Sequence, residues 1–147
     1  PQLLSASPDA DGDGPGLLCV VSAGGCLSFY SLAAAADSST EELVHREQLE
    51  NEEVVEVKWR VWDVVAVCAS GRVYLVEPRE RRAGVVHEYA HFVALTAATD
   101  GDSNVVLLGS WPTAWPGKPY GVNLWALDLG SCEALPLDVA GVPSAFE

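Results

Sequence analysis

Three times along this chain an apolar run meets a glycine-bearing turn or loop and is answered by a second apolar run. The first unit is Leu17-Leu18-Cys19-Val20-Val21, the turn Ala23-Gly24-Gly25, then Leu27-Ser28-Phe29-Tyr30-Ser31-Leu32. The second is Val64-Val65-Ala66-Val67-Cys68, the turn Ser70-Gly71-Arg72, then Val73-Tyr74-Leu75-Val76. The third is Val105-Val106-Leu107-Leu108-Gly109, a longer loop, then Val122-Asn123-Leu124-Trp125-Ala126-Leu127. Short runs rich in β-branched and aromatic residues, broken by glycine, predict β-hairpins. A tight turn at Gly24-Gly25 sets Cys26 opposite Ala23 and Cys19 nearer Tyr30, so those two thiols are not expected to face each other.

Each hairpin has flanking strands. Ahead of the second lies a period-two segment, with Val55, Val57, Trp59 and Val61 on one face and Glu56, Lys58 and Arg60 on the other. Ahead of the third, Val93, Leu95 and Ala97 alternate in the same way. The polar alternating segments after the hairpins, at 42–47, 84–89 and 131–138, predict partly solvated edge strands. A helix is expected only at Leu32 to Ala36, where it would be short. Aligning Ser22 with Ala69 and Val67 with Leu107 gives periods of about 47 and 40 residues, in the range of propeller blades. The predicted fold is all-β: a β-propeller segment of about three four-stranded antiparallel blades, at residues 2–48, 53–90 and 91–138, with 139–147 beginning a further blade. Three blades cannot close a ring, since propellers carry about 4–8.

The same residues resemble the WD40 repeat family. Ser5-Ala6-Ser7-Pro8-Asp9 is similar to that family's S-P-D-G turn, Leu18 to Leu32 to its central hairpin, and Leu124-Trp125-Ala126-Leu127-Asp128 to its closing V-W-D-L segment with one inserted residue. The family's Gly-His dipeptide is absent, and Trp62-Asp63 falls in a different part of the blade from the signature Trp-Asp pair. The resemblance implies a scaffold for protein–protein interaction with no catalytic residues, metal or cofactor.

Charge and composition narrow the partners. The 147 residues carry 8 basic against 21 acidic side chains, a net charge of −13, which repels phosphate backbones and steers basic protein segments inward. Nucleic acid is therefore not an expected direct partner. Eight of the acids fall between Asp37 and Glu56, Glu41, Glu42, Glu52 and Glu53 among them. No apolar run approaches the roughly 20 residues that span a bilayer, so membrane insertion is not expected. The start at Pro1, without Met or a basic stretch, suggests a piece of a longer chain. Four cysteines without C-x-x-C spacing suggest free thiols in an intracellular setting, cytoplasm or nucleus.

Four stretches carry candidate chemistry. His87-Glu88-Tyr89-Ala90-His91 matches H-E-x-x-H, in which two zinc ligands one helical turn apart flank a general-base Glu, so a zinc metallopeptidase is an alternative. On a strand those imidazoles would stand about 13 Å apart, too far for one zinc, and the valines before the motif favour strand. Asp9, Asp11 and Asp13 with Gly12 and Gly14 alternate as calcium loops do, but Val20 stands where an EF-hand needs its bidentate Glu; they are also similar to the calcium loop of FG-GAP propellers, a second alternative, where Leu17 replaces an expected acid. Arg79-Glu80-Arg81-Arg82 predicts a solvated turn. The segment Trp111 to Tyr120 sets Trp111, Trp115 and Tyr120 among prolines, as anchors for a partner or as cover for its own blade.

Overall fold

The computed structural model describes residues 3–6, 16–31, 43–88, 94–100, 103–110 and 123–137. The short helix expected at Leu32 to Ala36 lies outside them, as does the segment 139–147. The described chain is all-β. Strands β1 (Leu3–Ala6), β2 (Leu17–Ser22), β3 (Cys26–Ser31) and β4 (Leu43–Gln48) form the first sheet. Strands β5 (Val54–Trp59), β6 (Val64–Cys68), β7 (Val73–Glu77) and β8 (Arg82–His87) form the second. The third holds β9 (Ala94–Thr99), β10 (Val105–Ser110), β11 (Asn123–Asp128) and β12 (Glu133–Leu137). Every sheet is an antiparallel meander of four strands in chain order. Among the described residues they do not close into a ring or barrel.

The turns repeat because the same backbone problem is solved each time. Ser22 pairs with Cys26 across Ala23-Gly24-Gly25, and both glycines take positive φ (86° and 78°). Cys68 donates its N–H to Arg72 O at 3.0 Å across Ala69-Ser70-Gly71, where Gly71 has φ 94°. Only glycine enters that region without strain. The register corrects two expectations. Cys26 lies opposite Ser22 rather than Ala23, with Cys19 opposite Phe29, because the turn spends three residues rather than two. For the same reason Ser22 corresponds to Cys68, one residue before Ala69. The run at Arg79 forms the turn between β7 and β8, which Glu77 and Arg82 close. Asp128 and Glu133 close its counterpart in the third sheet, and the last turn residue, Arg81 or Cys132, has positive φ (54° and 59°).

The first strands of the second and third sheets share a bulge. Val54 pairs with Cys68 and Glu56 with Val67, so the ladder skips Val55; in β9 it steps from Thr96 to Ala94 opposite Gly109 and Ser110. An extra residue on one strand bends it and resets its faces. Val57 and Trp59 do face the core, but Val55 is exposed, Val54 packs on the core in its place, and Val61 lies beyond the strand. The expected face of Val55, Val57, Trp59 and Val61 is thus correct only at its centre. In β9 both Ala94 and Ala97 are buried; Val93 lies outside the described residues.

Continuous apolar runs are what a strand covered on both faces requires. In β6 all five residues are buried: Val64, Ala66 and Cys68 join the core shared with the first sheet, Val65 and Val67 the core shared with the third. In the first of these cores Phe29 meets Trp59 edge to face, with ring centroids 5.8 Å apart at 81°, and Phe29 stacks on His45. The first strands touch: β5 contacts both β1 and β9. Two bonds set β5 and β9 side by side in one direction, Ala97 N to Glu56 Oε2 at 3.2 Å and Thr99 Oγ1 to Trp59 O at 2.7 Å. Among the described residues no helix is long and apolar enough to cross a membrane.

Candidate functional site

The linker from Leu49 to Glu53 draws two hairpin turns together at one end of the sheets. Leu49 N donates to Gly25 O at 2.8 Å and Gln48 Nε2 to Gly24 O at 2.6 Å. Ala69 N donates to Glu53 O at 2.8 Å, so the β6–β7 turn is held by the same five residues. Gly25 lies so close to the linker that a Cβ there would run into the carbonyl oxygens of Leu49 and Glu52.

At the centre of this junction Glu52 is only 3% exposed. Its carboxylate accepts from Ser70 Oγ at 2.6 Å, Arg72 Nη1 at 2.9 Å and Tyr74 OH at 3.2 Å. Burial by itself would raise the carboxyl pKa. The three bonds and the Arg72 charge outweigh it and hold the group below the usual carboxylate range. The same carboxylate adds to the burial that pushes the neighbouring Cys68 thiol up to about 12. Glu52 is therefore not one of the freely solvated acids that the run from Asp37 to Glu56 suggests. It is a buried acceptor that ties a linker to a hairpin. Glu50 and Glu53 beside it are exposed. A groove of about 730 Å³ opens here, lined by the β2–β3 turn and by Asn51 to Val55.

The opposite end is built differently. Trp62, in the turn between β5 and β6, is 49% exposed, and the Arg79 guanidinium carbon sits 4.8 Å from its ring centroid. Asp63, Glu77 and Glu80 complete a cleft of about 510 Å³. Burial raises the pKa of Asp63, Arg60 opposes that shift and Glu77 reinforces it; the Arg60 Nη1–Asp63 Oδ2 pair spans 3.5 Å. An aromatic face under a guanidinium among carboxylates is a cation-binding arrangement already occupied by the protein's own side chain.

Of the candidates from sequence, His87 ends β8 and is therefore on a strand, and Glu88 pairs with Arg72 Nε at 3.5 Å. Neither has the helical placement that H-E-x-x-H chemistry needs, and His91 lies outside the described residues. So do Asp9, Asp11 and Asp13, and Trp111, Trp115 and Tyr120. Among the described residues no group of three His, Cys, Asp or Glu side chains is placed to hold a metal. All four cysteines are free, and burial pushes the Cys19 thiol up to about 12, far from thiolate chemistry.

Sequence reasoning missed Glu52 and the seat of Arg79. A signal for the first was present: Arg72, just ahead of β7, and Tyr74 within it are two residues apart, so extended chain puts two donors on one side beside the Ser70 hydroxyl. Such a row asks for a buried acceptor. Nothing in the sequence marked which acid would supply it. No protein-family model matches this chain, and no curated protein matches its sequence.

Proposed function

We propose that this chain is a non-catalytic segment of a propeller-type, WD40-like scaffold that works in protein–protein assembly. One observation carries the reading: three meanders of equal build stack face to face in the same sense, with their first strands side by side. Sheets fanned about their first strands are blades, and blades leave their turns at two ends as binding surfaces. The groups with perturbed pKa values support a structural rather than a chemical use. Glu52 is saturated by donors, Asp63 is paired with Arg60, and the two buried thiols are far from thiolate. Four unpaired thiols suit a reducing compartment, cytoplasm or nucleus.

The partner in this reading is a protein with a basic segment, steered by the acidic surface and anchored by Trp111, Trp115 and Tyr120. The test is kinetic. Stopped-flow binding to a partner isolated by affinity capture should show an on-rate that falls with salt and falls again when Glu41, Glu42 and Glu53 become Gln. The Trp111→Ala, Trp115→Ala variant should mainly raise the off-rate. Zinc-dependent peptide hydrolysis that disappears in His87→Ala would overturn the scaffold reading. Wild-type off-rates in the double Trp variant would remove the loop from the interface.

A further inference from the structure

The groove at the junction of the first two sheets combines an apolar wall with a carboxylate that pairs with nothing among the described residues. Val54 and Val55 both line it, because the bulge between Val54 and Glu56 turns Val55 away from the core that Val57 and Trp59 join. Val55 is 38% exposed, and Ala23, exposed in the β2–β3 turn, lines the same groove. Ion pairs hold Glu56, Glu77 and Glu88 to Lys58, Arg82 and Arg72. Glu52 also borders the groove, but Ser70, Arg72 and Tyr74 take both its oxygens. Glu53 is different: its side chain is exposed at the groove, with no ion pair among the described residues. No basic side chain among the described residues lines the groove. The walls are held by the linker bonds, with Glu53 O on Ala69 N and Leu49 N on Gly25 O. The Glu53 side chain thus hangs from an anchored backbone, which lowers the entropy lost when a ligand docks.

We propose that this groove receives a lysine side chain from an extended basic segment of the partner protein. The methylenes lie on Ala23, Val54 and Val55, and the ammonium pairs with the Glu53 carboxylate. This rests on the scaffold reading above and gives the basic partner of that reading a seat. The seat is built wholly at the junction of two adjacent sheets, so whatever covers the outer faces of the first and third sheets leaves it unchanged.

Charge sets the sign of the occupant, and the apolar wall sets its shape. A chain of net charge −13 draws cations inward. A carboxylate beside valines suits a side chain with an apolar stem and a charged tip. No aromatic ring lines the groove for a guanidinium to stack on, so lysine fits better than arginine. At about 730 Å³ the groove also has room for the residues on either side of that lysine. An acidic segment would oppose Glu53, and a purely apolar one would desolvate its charge without a partner.

The probe is the capped peptide acetyl-Ala-Ala-Lys-Ala-Ala-amide, titrated into the 147-residue chain and followed by backbone amide NMR shifts. The shifts should centre on Gly24, Asn51 and Val55. Glu53→Gln should weaken binding by roughly threefold to fivefold, as loss of an exposed ion pair does. Glu80→Gln, which removes the same charge at the opposite end, should change it by less than about 1.5-fold. Val55→Thr keeps the branched shape of the strand but puts a hydroxyl on the wall, and should weaken binding by about twofold to threefold. Replacing the peptide's lysine by norleucine should weaken it as much as Glu53→Gln does. The two changes together should weaken it no more than either alone, because they remove one contact. Absent shifts, shifts away from the groove, equal losses from Glu53→Gln and Glu80→Gln, or additive losses from norleucine and Glu53→Gln would each overturn the proposal. A captured partner that binds wild type and the Glu53→Gln, Val55→Thr variant alike would refute the seat while leaving the scaffold reading intact.

Discussion

Replacing Glu52 tests whether one buried carboxylate holds the first two sheets to each other. Glu52→Ala removes three hydrogen bonds to a charged acceptor at once and takes that acceptor from the half-buried Tyr74 as well as from the exposed Ser70 and Arg72. Bonds to charged groups contribute about 1.5–3 kcal/mol each in isolation. They share one acceptor and are not additive, and Arg72 is half exposed and can rehydrate. The expected loss is therefore about 3–4 kcal/mol. Glu52→Gln keeps one oxygen for Arg72 and Tyr74 and can donate its amide to Ser70 Oγ, so only the charge is lost. That should cost about 1–2 kcal/mol. Urea denaturation followed by the fluorescence of Trp59, buried between the two sheets, measures both.

Acid provides a second arm with a definite sign. Because folding lowers the Glu52 pKa below its ordinary 4.5, its contribution is present in full above that value. It is lost as pH falls from there through the folded-state pKa. Asp63, whose pKa burial raises, works in the opposite direction, so the quantity to follow is the difference between wild type and Glu52→Gln. That difference should be constant near neutrality and shrink below about pH 4.5. An Ala variant within about 0.5 kcal/mol of wild type, or a difference that grows on acidification, would falsify the role assigned to Glu52.

Three further outcomes follow from particular positions. Gly24 and Gly25 both have positive φ, but only Gly25 faces the linker carbonyls; Gly24→Ala should cost about 1 kcal/mol and Gly25→Ala about 2–4, by thermal denaturation. With a disulfide-exchange reagent in native buffer, the exposed Cys132 should react first, whereas Cys19 and Cys68 should react only after denaturant is added. Val65→Ala, which opens space between the second and third sheets, should destabilise by roughly 1–3 kcal/mol without changing binding rates at the acidic end.

The sequence alone determined the class of fold and most of its strands. Alternation, glycine turns and fully apolar central runs are local signals, and strands are local objects; β6 reads as buried on both faces because five consecutive apolar residues leave no face for water. It could not place Val55, because a bulge is a property of the ladder, and the partner strand decides which residue is skipped. Nor could it separate Glu52 from Glu50 and Glu53. All three are acids in one polar stretch, and only the packing of a hairpin from the next sheet brings Ser70, Arg72 and Tyr74 onto one of them. The same holds for Trp62 and Arg79, which meet because two turns of one sheet emerge at the same end. Pattern fixes which side of a strand seeks cover. What covers it depends on distances between segments tens of residues apart, and those exist only once the sheets have stacked.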